Sequence, residues 1–139
     1  MTDIAPPSGY RRTIRVKPET GRLGEVRRFV EEVTQGLPLD AEKVFDLKVA
    51  VSEACANAAK HAGRQTATVE VTFVREAGRL TFVVTDHGTF HTPASDRPDG
   101  ESRGLGMPLM VALMDEVTFT RLPEGGTTVS LSLFVDGGK

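Results

Sequence analysis

From Val44 to Gly63 the chain reads VFDLKVAVSEACANAAKHAG, with apolar and small residues returning every three or four positions. Phe45, Val49, Ser52, Ala56 and Ala59 form one stripe, and Leu47, Ala50 and Ala54 form another, so the period is helical and the apolar part covers most of the circumference. That pattern predicts a largely buried helix, N-capped by Asp40, with Glu42 and Lys43 in its first turn and Gly63 at its end. Ahead of it, Tyr10 to Lys17 alternates in the manner of an edge strand with its charges toward water. Thr20 to Gln35 carries Leu23, Val26, Phe29, Val30 and Val33 on one side and Arg27, Arg28, Glu31 and Glu32 on the other, which predicts an amphipathic helix ending near Gly36.

Beyond the central helix, Ala67 to Arg75 alternates with period two, and Leu80 to Thr85 is a β-branched and aromatic run joined to it through Glu76, Ala77 and Gly78. The pair reads as an antiparallel hairpin. Thr89 to Arg103 holds Pro93, Pro98 and Gly100 without periodicity, a loop of a length that is uncommon unless it serves as a lid or binding loop. Leu105 to Met114 returns to helical spacing, and the strands Glu116 to Arg121 and Thr127 to Val135 follow, turned by Glu124, Gly125 and Gly126. Three helices and about five strands without βαβ alternation predict a two-layer α/β sandwich: a mixed, mostly antiparallel sheet covered on one face by the helices. One domain is expected over 10–135, preceded by a loose tail over 1–9 that contains Pro6, Pro7 and Gly9.

Composition narrows the function classes. The 139 residues include 17 basic and 19 acidic side chains, a net charge of −2, so there is no electrostatic case for nucleic acid or an anionic membrane. No run of apolar residues is long enough to span a bilayer, and a cytoplasmic protein is expected. Cys55 is the single cysteine and falls inside the central helix, where it reads as a small hydrophobe rather than a reactive thiol.

Candidate chemistry begins on that helix. Glu53 and Asn57 stand four apart, roughly 6 Å along the axis, and project from one face. One account is a solvated pair, with Glu53 bridged to Lys60 or a surface arginine. The other is a ligand site, since a carboxylate and an amide oxygen one turn apart suit magnesium, which keeps waters for a substrate phosphate to replace. Asp86, His87 and Gly88 follow a strand directly, so a carboxylate emerges beside a glycine that lets a ligand approach the backbone. Gly104 and Gly106 bracket Leu105 at a helix start, where free amide N–H groups and the positive end of the dipole favour phosphate.

Taken together, EACANAAKHA at Glu53 to Ala62, Asp-x-Gly at Asp86 to Gly88, GLGMPLMVALMDEV at Gly104 to Val117 and GGTTVSL at Gly125 to Leu131 resemble the GHKL ATPase/kinase superfamily with its Bergerat-type ATP-binding fold. Within it the likeness is to the bacterial anti-sigma factor serine kinases, over roughly Tyr10 to Phe134. The resemblance implies ATP and magnesium as cofactors, with Asn57 ligating the metal and Glu53 acting as base toward the attacking hydroxyl. It implies that Asp86 receives the adenine amino group, with Gly88 beneath the base and Thr127 supporting it through water. Gly104 and Gly106, with Arg103 and Leu105 beside them, would meet the phosphates under a lid made from Thr89 to Arg103. The family's Asp-x-Gly-x-Gly ends here in Phe90, a bulky residue that can narrow the adenine pocket, stack near the base or swing away, and so bears on nucleotide affinity more than on fold.

The function implied is a serine/threonine protein kinase that holds an alternative sigma factor inactive and phosphorylates a STAS-type anti-anti-sigma protein, acting as a homodimer with Arg28 in its docking surface. Its competitor is a non-catalytic, ATP-binding partner switch, which Phe90 favours. The ATP-binding half of a histidine kinase is disfavoured, because His61, His87 and His91 all lie within the nucleotide domain and no second helical hairpin carries a phospho-acceptor.

Overall fold

A computed structural model of the chain describes residues 9–17, 23–62, 68–86, 106–123 and 126–135. Along the chain run β1 (Arg11–Val16), α1 (Leu23–Thr34), α2 (Ala41–Ala62), β2 (Val69–Glu76), β3 (Arg79–Asp86), α3 (Gly106–Leu113), β4 (Glu116–Leu122) and β5 (Gly126–Phe134). The sheet order is β1-β2-β3-β5-β4, and every neighbouring pair is antiparallel, so no parallel pairing accompanies the expected mixed sheet among the described strands. Short turns make two of these pairs, β2-β3 and β4-β5, antiparallel, while β1-β2 and β3-β5 are joined through intervening elements.

Alternation in the strands becomes two faces. Rows such as Val71, Val84 and Val129, or Phe73, Phe82 and Leu131, are aligned by the register and buried toward the helices. The opposite face is hydroxyl-rich: Thr13 and Thr72 meet at 2.8 Å, Thr81 and Ser132 at 2.9 Å, Thr85 and Thr128 at 3.5 Å. Between β2 and β3 the hairpin turns at Ala77 and Gly78, where Gly78 takes a φ of +75° that a side chain would strain. Phe82 joins the layers, its ring 5.1 Å from that of Phe73 in the sheet and 6.2 Å, edge-on, from that of Phe29 on α1.

The helix termini follow their local chemistry. Lys43 N–H donates to Asp40 Oδ1 at 2.9 Å, so Asp40 caps α2 as its position predicts. After α1 the chain turns at Gly36 with a φ of +83°, the left-handed residue that ends helices. Lys48 on α2 reaches Glu31 on α1 at 2.8 Å and holds that carboxyl below its ordinary value.

The burial of α2 is less complete than the largely buried helix that its pattern predicts. Leu47, Ala50, Val51 and Ala54 are fully buried, but Phe45 is 62% exposed and Val49, Ser52 and Ala56 are half-buried. A two-layer sandwich gives α2 one sheet to lie on and two helical neighbours, α1 and α3, which leaves its far side outward. Nothing in the residue types distinguishes the stripe that meets the sheet from the one that does not.

Cys55 belongs to the buried side, and desolvation pushes its thiol up from 9.0 to about 12. Two outcomes are expected. The folded protein reacts with a thiol reagent at pH 8 only at the rate of global or local opening, many-fold slower than the urea-unfolded chain. Stability is also untouched by this group below pH 9 and declines above it, since the unfolded thiol ionises first and draws the equilibrium toward the unfolded chain. Stopped-flow labelling and denaturant melts between pH 8 and 10.5 measure both.

Candidate functional site

Four elements converge at one end of the sheet. β3 ends there at Asp86, and the ladder aligns Asp86 with Val69, the first residue of β2, and with Thr127, the second residue of β5. Six residues separate the end of α2 at Ala62 from Val69, so the C-terminal end of α2 is tethered to that same end. α3 arrives from its other terminus. It leads within two residues into Glu116, which is aligned with Ser132 and through it with Thr81 near the start of β3. Eight helical residues reach back about 12 Å, so α3 runs antiparallel to α2 with Gly106 directed toward the Asp86 end.

Asp86 is 3% exposed, the charged member of a row otherwise made of Leu80, Phe82 and Val84. Alternation puts its side chain on the helix-covered face with those three residues. A buried carboxylate costs several kcal/mol unless polar groups or a ligand meet it, and the register sets the half-buried Thr127 at its side.

On α2, Glu53 and Asn57 are both half-buried and one turn apart. At about 100° per residue they lie about 140° and 180° round the helix from Lys48, whose ammonium marks the α1 side through Glu31. They therefore face away from α1. Among the described residues neither has a hydrogen-bond or ion-pair partner, so the solvated-pair account that bridges Glu53 to a surface arginine has no arginine to name. Ser52, read from the sequence as part of an apolar stripe, has a buried Oγ without a hydrogen-bond partner among the described residues.

The described part of the site thus brings Asp86 and Thr127 together in one row, sets Glu53 and Asn57 on a single face of α2, and opens α3 at Gly106. Gly88, Arg103, Gly104 and Leu105 lie outside the described residues, as do Phe90 and the expected lid over Thr89 to Arg103. No group of three or more His, Cys, Asp or Glu side chains among the described residues is arranged to hold a metal. A divalent ion at Asn57 would have to complete its shell with phosphate oxygens and water, which is how magnesium binds at nucleotide sites. No described helix is long and apolar enough to cross a membrane.

Comparison with known proteins agrees with this arrangement. Residues 16–133 match the family described as the histidine kinase-like ATPase domain, and ATP use follows from that family. Among relatives, the chain is similar to the serine-protein kinase RsbW of Bacillus subtilis strain 168, 31% identical over 83% of this chain and 79% of that protein. It is likewise 33% identical to the serine-protein kinase RsbW of Bacillus pumilus strain SAFR-032, over 88% of this chain and 83% of that one. Two solved structures share the fold. One is the histidine kinase domain of the Erythrobacter litoralis EL346 blue-light activated kinase, with a TM-score of 0.55, 20% identity, 84% of this chain and 60% of that one. The other is the SiaB-SiaC complex from Pseudomonas aeruginosa, with a TM-score of 0.58, 12% identity and 89% of both chains. With a family model spanning most of its length and kinase relatives above 30% identity, the chain belongs to the histidine kinase-like ATPase family, in its RsbW-type branch of serine-protein kinases.

Proposed function

We propose that the chain is an ATP-dependent serine/threonine protein kinase and anti-sigma factor. It sequesters an alternative sigma factor and phosphorylates a STAS-type anti-anti-sigma protein, working as a cytoplasmic homodimer through one domain over residues 10–135. The observation that carries this reading is the buried carboxylate of Asp86 at the sheet end where α2 finishes and α3 begins. The relatives' identity as serine-protein kinases supports the reaction class.

In this reading Asp86 accepts a hydrogen bond from the adenine amino group, Thr127 supports the base through water, and Gly88 packs beneath it. Arg103, Gly104, Leu105 and Gly106 hold the phosphates, with amide N–H groups of the α3 start directed at them. Asn57 holds magnesium, which when bound neutralises charge on the phosphoryl oxygens. Glu53 accepts the proton of the substrate hydroxyl as its oxygen bonds to the γ-phosphorus and the bond to ADP breaks. Catalysis of this kind is mostly positioning and charge stabilisation, so few side chains suffice.

Three outcomes are expected. Mg-ATP or Mg-ADP raises the melting temperature, by the equivalent of about 2.7 kcal/mol at a hundred times the dissociation constant. Asp86→Asn or Asn57→Ala removes most of that shift in a thermal scan, and a wild-type thermogram unmoved by nucleotide would end the kinase reading. Glu53→Gln, which keeps size and polarity but accepts no proton, retains ATP binding while transfer to the STAS protein slows by about 10² to 10⁴ fold in a radiolabelled phosphate assay. Transfer at the wild-type rate would make Glu53 structural and favour the non-catalytic switch. Arg28→Glu weakens sigma-factor binding by about 2 to 5 kcal/mol if the pair it breaks is buried, with ATP binding unchanged, and calorimetric titration of the partner decides this.

A further inference from the structure

β1 is the outer strand of the sheet on its side, and the flank of α1 overhangs it. Between them lies a groove of about 240 Å³ whose lining includes Ile14, Val16 and Phe29 within and Arg12, Glu25, Arg28 and Glu32 around the rim. The α1 contributors 25, 28, 29 and 32 have the spacing of one helical stripe. Arg12 holds that stripe to the strand, bonding Glu32 at 3.0 Å and standing over the Phe29 ring at 5.3 Å.

The phase of β1 is set by its bonding to β2. Arg75 N–H donates to Tyr10 C=O at 2.9 Å, so the residues bonded to β2 are Tyr10, Arg12, Ile14 and Val16, in alternation. The N–H and C=O groups of Arg11, Thr13 and Arg15 point the other way, to an edge that no described strand occupies. The side chains divide likewise: Arg11, Thr13, Arg15 and Lys17 are exposed on the outer face, while Ile14 and Val16 turn toward the groove.

We propose that this edge takes up an extended acidic segment of a partner protein as a sixth, antiparallel or parallel strand, its apolar side chains entering the groove and its carboxylates lying beside Arg11, Arg15 and Lys17. Charge selects this occupant over a second copy. RRTIRVK carries four cations and no acid, so pairing β1 with β1 of another copy sets cation against cation. Around the edge five cations, Arg11, Arg12, Arg15, Lys17 and Arg28, face three carboxylates, Glu25, Glu32 and Glu70, the last held by Arg15 at 3.2 Å. Main-chain hydrogen bonds supply affinity in such strand addition, and alternate side-chain pockets supply specificity.

The inference deepens the partner-docking part of the proposed function and rests on it only in sharing Arg28; phosphoryl transfer does not depend on it. Its test uses the full chain and a capped octapeptide alternating Val and Glu, with a Val and Lys octapeptide as control. Two further acidic peptides are N-methylated at every second residue, one in each phase. Amide hydrogen exchange by NMR should slow at least about fivefold at Arg11, Thr13 and Arg15 with the acidic peptide, and not at all with the Lys peptide. One N-methylated phase should lose the effect and the other keep it, because only alternate N–H groups of an added strand face β1. Absence of protection, equal protection by the Lys peptide, or equal behaviour of the two N-methylated phases overturns the proposal. Loss of partner binding in Arg28→Glu together with absent amide protection would retain the docking surface and reject strand addition.

Discussion

The row of Val69, Asp86 and Thr127 is the constraint on which the rest of the site depends. Side chains in a strand alternate faces, so a slip of one residue in β3 would turn Asp86 to the uncovered side and bring Thr85 inward. Eight aligned pairs on each side of β3 oppose such a slip, because it would also expose Leu80, Phe82 and Val84. Burying those three side chains is worth on the order of 1.5–3 kcal/mol each, which offsets part of the cost of one buried carboxylate. The apolar rows thus fix the position of the one acidic group that the ligand reading needs.

The helices answer the same sheet from above. α2 crosses its centre with small residues, Ala50, Ala54 and Ala58, facing inward, which allows the helix to lie close while Glu53 and Asn57 stand beside the contact rather than in it. α3 contains no charged side chain and buries Met110 completely, so its place against α2 is set by apolar contact and its start at Gly106 is left for the site. At the far end of the sheet, ionic and polar ties close the corner: Arg79 pairs with Glu116 and stands over Phe134, whose N–H donates to Asp115 at 2.8 Å. The proposed nucleotide site and the corner closure therefore lie at opposite ends of β3.

Much of this was legible in residue order. The hairpin of β2 and β3 follows from strict alternation around Ala77 and Gly78, the α2 cap from Asp40, and the Asp86 position from an acid that ends a β-branched run. The exposure of Phe45 was not legible, since an apolar stripe that meets a sheet and one that meets water look alike until the layer count is known. Nor was the β1 groove, which depends on how α1 lies across the edge strand: residues 12 and 32 are distant in sequence, and their ion pair is a product of the fold. Gly104 and Gly106 are legible as a helix start that suits phosphate, and Gly106 opens α3 as that reading expects, whereas Gly104 lies outside the described residues.

In the proposed function, nucleotide binds at the Asp86 end of the sheet and nowhere else on it. Titration of the isotopically labelled chain with Mg-ATP, followed through backbone amide signals, tests this most directly. Shifts are expected at Asn57, Asp86, Gly106 and Thr127, with the signals of Arg79, Glu116 and Phe134 at the other end unmoved. Shifts that cluster at Arg79, Glu116 and Phe134, or that follow the β1 groove, while Asp86 and Thr127 stay fixed, would contradict it.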